Sequence, residues 1–315
     1  MILVVSADSD AHACALTARL DARGGSYQLL DLSQFPSRSS VTIDCGPRGD
    51  GRSTRWRGDC GSLDFADCRV AWWRRPQPFA LDPGISDPES RNFAMVEAHS
   101  AFSGLWLTLD AFWINHPTRD EEAARKVYQL RVAQDLGLRT PRTRITNDIE
   151  DARAFIADCG PHQTVYKAFA GTERAWRETR LLRPGELDLI ANVRFAPVIF
   201  QEYITAGVDL RITVVGDRLF PAAIHLRGSE YEVDFRMVMA SARIEDVTLP
   251  PAVTESLLTL MQRLGLVYGA IDMRRTPEGE YVFLEINPAG QWLFVEERTG
   301  QPITEALADL MLARD

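Results

Sequence analysis

The chain has 315 residues, 45% of them hydrophobic, and a formal charge of −9 from 35 basic and 44 acidic side chains. That length and apolar content support two or three packed domains and exclude a disordered chain as the default. The acidic total argues against a protein that coats nucleic acid nonspecifically, and no apolar run approaches the roughly 18 residues of a membrane span.

MILVVSA opens as a short strand, HACALTARLDARGG as a helix stopped by glycine, and SYQLLDL as a second strand. This β-α-β order is typical of an α/β layer. MILVVSADSD carries no basic leader, so a signal peptide is not expected. Cysteines at 14, 45, 60, 68 and 159 form no C-x-x-C, and an odd count in a long chain predicts a reducing cytoplasm.

From Pro36 to Asp67 the chain is polar, and its V-T-I alternation and PRGDG turn predict a hairpin or a mobile loop. RVAWWRRPQPF, at 69–79, reads as a strand with Arg74 and Arg75 at its exit. Residues 92–109 read as a helix, and AFWINHPT as a strand ending at Pro117. One helix is then predicted from a Thr118–Glu121 capping box to Gly137, burying Val127, Leu130, Ala133 and Leu136, with Lys126 beside that stripe.

A second unit begins near Thr140, with a short helix at ARAFIADCG and a strand, QTVYKAF, that holds Lys167. Arg174, Arg177, Arg180 and Arg183 follow. VIFQEYI reads as a strand, and DLRITVVGDRLFPAAIHL as two strands joined at Gly216–Asp217. A third unit begins near Val233. PPAVTESLLTLMQRLG repeats apolar residues at 253, 257, 260 and 264, the helical spacing. YGAIDMRRTPEGEYVFLEINP reads as two strands around TPEG, and a last helix starts near 302.

The TPEG hairpin carries the chemistry. With the turn centred between Pro277 and Glu278, Asp272 faces Phe283, and Glu285 lies diagonal to it on the same face. Asn287, two residues on, shares that face, while Ile271, Leu284 and Ile286 point to the core. Two carboxylates and an amide oxygen are hard ligands, suited to Mg²⁺ shared with phosphate oxygens. The plainer reading is a solvated strand end that Pro288 terminates.

Phosphates need cations, yet both G-x-x-x-x-G-K-[ST] and G-x-G-x-x-G are absent. Lys126 and Lys167 are the alternatives. Lys167 shares a strand face with Val165 and Phe169, an odd place for a charge unless it meets an anion. After QEYI at 201–204, Asp209 and Arg211 share a face, suited to ribose hydroxyls and to phosphate. Arg236, in YEVDFR, is a further cation. Each of these could equally be a surface residue.

In this order the pieces resemble the ATP-grasp superfamily over essentially the full length. They resemble in particular the ribosomal peptide maturases of the microviridin and graspetide type. The residues that carry the resemblance are WWRRP, INHP, KVYQLRVAQDLGLRTPRTRITND, VYK, FQEYI, DLRITVVGD, DFR, GAID and FLEINPAGQW. The resemblance implies an α/β ATP-grasp fold. A Rossmann-like N-terminal domain would span 1–117, a helical segment and central α+β lobe 118–205, and a C-terminal α+β lobe 206–315.

It implies ATP and Mg²⁺ as cofactors. Lys126 and Lys167 would contact phosphates, and Gln201, Glu202, Tyr203 and Ile204 would border adenine. Asp209 would meet the ribose, Arg211 and Arg236 would steady the transferring phosphate, and Asp272, Glu285 and Asn287 would hold the metal. The implied partner is a ribosomal precursor peptide, leader plus core, with Arg74, Arg75, Arg174, Arg177 and Arg180 as its contacts; a homodimer fits the family. The loop AGTERAWRETRLL departs from the Gly/Ser-rich cover found in many ATP-grasp ligases. The implied reaction activates a peptide carboxylate as an acyl phosphate, which a Ser, Thr or Lys side chain of the same peptide then attacks. Rival readings are a ligase for free amino acids, such as a protein–glutamate or glutathione-synthetase-like enzyme, and a non-catalytic nucleotide-binding scaffold.

Overall fold

A computed structural model describes residues 1–46, 53–59, 61–169, 179–205, 207–225 and 242–315. The N-terminal part contains β1 (Ile2–Val5), α1 (Ala11–Ala22), β2 (Tyr27–Leu30), β3 (Ser40–Ile43), β4 (Thr54–Gly58), β5 (Gly61–Asp64), β6 (Val70–Trp73), α2 (Pro88–Thr108) and β7 (Phe112–Ile114). Strands β2-β1-β6-β7 form a parallel sheet. Its central strand β1 is fully buried, as a strand covered on both faces must be. Asp10 caps α1 by accepting the Ala13 N–H at 2.9 Å. The segment expected to be a hairpin or mobile loop instead forms a three-stranded antiparallel sheet, β3-β4-β5. Its Trp56 and Leu63 pack into the aromatic core with Phe65 and Phe102. The PRGDG turn lies outside the described residues.

Next come α3 (Pro117–Ala124) and α4 (Lys126–Asp135), where the sequence predicts one helix. Arg125, with φ −73° and ψ 108°, breaks it. The cap also differs: His116, and not Thr118, is the N-cap, its ring Nδ1 accepting the Thr118 N–H at 3.2 Å. The break resets the helical phase. Gln129, Val132 and Ala133 are therefore buried, while Val127 is 50% exposed.

The central sheet comprises β8 (Thr143–Thr146), β9 (Thr164–Lys167), β10 (Arg180–Leu181) and β11 (Val198–Glu202), in antiparallel order β10-β9-β11-β8, with helix α5 (Ile149–Cys159). Phe155, Ile156, Ile190, Val193 and Phe200 form a core of their own there.

The C-terminal part holds β12 (Val208–Val215), β13 (Arg218–His225), β14 (Arg243–Asp246), α6 (Pro251–Leu264), β15 (Tyr268–Arg275), β16 (Tyr281–Asn287), α7 (Leu293–Thr299) and α8 (Ile303–Leu312). Its five strands run β14-β13-β12-β15-β16. One face packs on α3, α4 and α6 through Ala123, Val132, Leu257, Leu260 and Leu264. The other packs on α8 and on the parallel sheet through Val215, Phe220, Trp292, Leu307, Val4 and Trp72. Helix α6 buries the predicted apolar stripe and ends at Gly265, whose φ of +68° suits glycine. No described helix is long and apolar enough to cross a membrane.

The hairpin register differs from expectation. Met273, not Asp272, faces Phe283, and a register shift between Asp272 and Met273 sets Asp272 directly opposite Glu285. Such a bulge lets two successive residues share a face. Phe283 and Ile286 both join the core, whereas Leu284, expected to point inward, lines the cleft beside Lys167.

Candidate functional site

The central and C-terminal sheets meet at a narrow cleft lined by Val165, Lys167, Gln201, Glu202, Tyr203, Ile204, Arg274 and Leu284. Strand alternation places Lys167 at the end of β9, opposite Ile199. Burial pushes its ammonium below the ordinary lysine range; Glu285 opposes this shift, and Lys126 and Arg274 add to it. A cation so destabilised gains more than a surface lysine from an arriving anion.

Two carboxylates, on β15 and β16, stand near enough to Lys167 to act on its charge. Asp272 and Glu285 sit opposite one another, each already paired with a cation. Arg211, which is opposite Asp272 on β12, donates from Nη1 to both of its oxygens at 2.8 and 3.0 Å. Lys126, the first residue of α4, donates to Glu285 Oε2. Sequence reasoning missed what aims this lysine. The buried Gln129 donates to the Ala123 and Ile286 carbonyls at 3.0 and 3.2 Å and accepts the Ile286 N–H at 2.8 Å. One helical turn from Lys126, it clamps α4 to the strand that carries Glu285.

Asn287 is opposite Ala270, and its Oδ1 accepts the Ala289 N–H at 3.0 Å, which folds the strand exit into a turn. Gly290 is required just beyond. A Cβ there would overlap the Ala270 side chain and come within 2.9 Å of Arg211 Nη2. As a donor set, two carboxylates and an amide oxygen at neighbouring positions fit a small hard cation, with substrate or solvent oxygens completing its shell. The described residues hold no group of three or more His, Cys, Asp or Glu side chains that would suit a zinc-type site.

At the exit of β11, Gln201 donates to Thr143 Oγ1 at 3.0 Å and Glu202 accepts the Arg142 N–H at 3.2 Å. Asp209, expected to face a ribose, is instead 5% exposed and accepts from Arg274 Nε at 2.7 Å. Burial beside an arginine withdraws it from a sugar.

The arginines expected to hold a peptide divide. Arg74 is 1% exposed. It donates to the Ala289 and Gly290 carbonyls at 2.6 and 3.1 Å and lies over the Trp292 ring, with Asp10 at 3.4 Å. Its guanidinium fastens the N-terminal sheet to the loop after β16 and is not presented to a ligand. Arg75, with φ 44°, donates to the Ala289 carbonyl at 3.2 Å and stays exposed. Arg180 pairs with Glu186 at 2.7 Å and lies over Tyr166. Arg174, Arg177 and Arg236 lie outside the described residues.

Asn115, in the INHP motif, is a further strut. Its side chain donates to the Tyr268 and Pro288 carbonyls at 2.8 and 3.1 Å and accepts the Val267 and Tyr268 N–H groups at 2.7 and 2.9 Å.

A strand exit and a lysine on one antiparallel sheet, facing paired carboxylates on a second, define the ATP-grasp class of fold. Residues 123–311 match the RimK-like ATP-grasp domain, and the chain belongs to that family. Two solved structures are similar over nearly the whole length. Macrocyclase MdnC of Microcystis aeruginosa MRC, bound with precursor peptide MdnA, is 27% identical with a TM-score of 0.88, covering 99% of each chain. A RiPP-associated ATP-grasp ligase of Chryseobacterium gregarium, in complex with ADP and a leader and core peptide, is 25% identical with a TM-score of 0.89, covering 100% of this chain and 97% of that one. A curated relative, the probable alpha-L-glutamate ligase 2 of Shewanella amazonensis, is 28% identical over 199 residues, which are 60% of this chain and 64% of that protein's length.

Proposed function

We propose that this protein is an ATP-dependent ligase that closes rings in a ribosomally made precursor peptide, joining an Asp or Glu side chain to a Ser or Thr hydroxyl or a Lys amine. The observation that carries the reading is the facing pair Asp272 and Glu285, each held by a cation suited to phosphate. The similarity to two peptide-bound ligases along their whole length supports the peptide as substrate. The division at 1–117, 118–205 and 206–315 belongs to the proposal, as do a cytoplasmic setting and a homodimer.

In this reading ATP enters between the two antiparallel sheets, with adenine bordered by Gln201 to Ile204. Lys126, Lys167 and Arg211 meet the phosphates, with Arg236 as a further cation. Asp272, Glu285 and Asn287 would hold Mg²⁺, which would offset charge on the phosphoryl oxygens when bound. Arriving phosphates would draw Lys126 and Arg211 off Asp272 and Glu285, the carboxylates that would hold the metal. A peptide carboxylate attacks the γ-phosphorus, releasing ADP and leaving an acyl phosphate. The peptide's own hydroxyl or amine then attacks the carbonyl and phosphate leaves. Because one peptide brings both groups, the second step is effectively intramolecular. Arg75, Arg174, Arg177 and Arg180 are the proposed peptide contacts that remain.

Hydroxylamine tests the intermediate. With peptide and ATP present, a hydroxamate forms at Asp or Glu in step with ADP; ADP release with no trapped carboxyl contradicts an acyl phosphate.

A second reading, addition of a free amino acid to a carboxylate, is favoured by the relative named as a glutamate ligase.

A further inference from the structure

Arg274 has no part in the nucleotide site proposed above, yet it is a cation buried at the same cleft. It is 4% exposed. Its Nε donates to Asp209 Oδ1 at 2.7 Å, its Nη1 donates to the Ile204 carbonyl at 2.7 Å, and its guanidinium lies 5.2 Å from the centre of the Tyr203 ring. It also lines the cleft next to Lys167.

We infer that Arg274, anchored by Asp209, is a positioning residue that fixes the nucleotide-facing segment Tyr203–Ile204 against the C-terminal sheet. The inference rests on the nucleotide-binding reading above. The connectivity supports it. Arg274 is on β15 and Asp209 on β12, where they are directly opposite in register. Tyr203 and Ile204 follow β11 of the other sheet. From that side the segment is tied by Tyr203 N–H to the Gln163 carbonyl at 2.8 Å and by Glu202 N–H to the Arg142 carbonyl at 2.8 Å. One guanidinium therefore completes a bridge between the two halves that would grip a nucleotide.

The fork geometry matters. Arginine can donate in two directions at once, to a carboxylate and to a carbonyl, and still present a flat face to a ring. A lysine could satisfy only part of this. A buried carboxylate whose cation is removed loses far more than it would at a surface. Asp209 is therefore read as the anchor of this bridge and not as a ribose ligand.

The test uses the full chain, with Arg274→Met, Arg274→Lys and Asp209→Asn. ADP binding is measured by calorimetry, ATP turnover by steady-state kinetics, and folding by thermal melting. Each variant is expected to weaken ADP about tenfold or more, the size of effect a lost charged hydrogen bond gives. KM for ATP rises in parallel, while kcat at saturating ATP changes much less, since no reacting atom is touched. Arg274→Lys recovers only part of the loss. The double variant Arg274→Met/Asp209→Asn is expected to be no weaker than the worse single one, because the pair acts as a unit. It also carries the test if Arg274→Met alone fails to fold, since it removes both charges of the pair together. Unchanged ADP affinity in a folded variant overturns the inference, as does a fall in kcat with KM unchanged. Failure of the wild-type protein to bind ADP would instead remove the nucleotide reading itself.

Discussion

Two clusters of charge lie at either end of the loop that follows β16, and they differ in one property. At one end Lys126 and Glu285 are 25% and 27% exposed in their side chains. At the other, Arg74 is 1% exposed and lies over Trp292, whose ring packs on His12, Trp72 and Tyr268. The first pair is partly open, and in the proposed reading a phosphate or a metal would replace either partner. The second is sealed: Arg74 is held by the Ala289 and Gly290 carbonyls and by Asp10, none of them open to a competing ion as the first pair is. Residue type does not separate a binding site from a strut; access to competing ions does.

The largest expected effect falls on the open cluster. Glu285→Gln keeps the shape but removes the charge that a metal needs, so peptide-dependent ADP formation is expected to vanish, while the melting temperature changes little. ADP release at the wild-type rate would detach Glu285 from metal binding.

The sealed cluster should answer in the opposite way. Trp292 is fully buried, and its Nε1 donates to Thr304 at 2.9 Å. Trp292→Ala is expected to cost about 3–5 kcal/mol of stability by leaving a cavity. Activity per folded molecule, measured at low temperature, should largely survive. Lost activity in a variant with unchanged denaturant midpoint would place Trp292 on the peptide side.

The smallest effect is on pH dependence. Burial and the nearby Arg74 push the His12 imidazole down to about 4 from 6.5, with Arg75 and Arg211 adding to the shift and Asp10 opposing it. The unfolded chain therefore takes up this proton at a higher pH than the native one. The contribution is whole above 6.5, falls as pH drops toward 4, and amounts to roughly 3 kcal/mol for a shift of that size. Asp10 adds a loss further down: burial acts against its ionisation, but Arg74 and the Ala13 N–H outweigh it and hold the carboxyl below 3.8. Denaturant midpoints between pH 6.5 and 4 should fall more steeply in the wild type than in His12→Gln. Parallel slopes would show that His12 is not what titrates.

Much of this comparison was legible in sequence, because it rests on local pattern. The β-α-β opening, the Gly216–Asp217 hairpin and the stripe of α6 are written in periodicity and turn residues, and all three form. Asp272 stands opposite Glu285, and both lie near enough to Lys167 to act on its charge. Their convergence was read through the wrong register, however, and a bulge supplies the face-sharing that a regular ladder would have placed one residue away. Bulges have no reliable signature in a single sequence, and that is also why Leu284 was assigned to the core. The helix break at Arg125 is hidden for a similar reason, since neither proline nor glycine marks it. Arg74, Asp209 and Arg274 were illegible in a different way. Their roles depend on burial against segments up to 216 residues distant, and only the fold brings those together. INHP and NPAGQW carry the family resemblance, and their Asn115 and Trp292 are the fittings that lock the N-terminal sheet to the loop after β16.

The most direct test of the central claim is the mass of a precursor peptide after incubation with the protein, ATP and Mg²⁺, followed together with ADP. The proposed ring closure predicts a loss of one water per ring with one ADP formed for each. A gain of one amino-acid residue in mass, or ADP without any change in peptide mass, would contradict it.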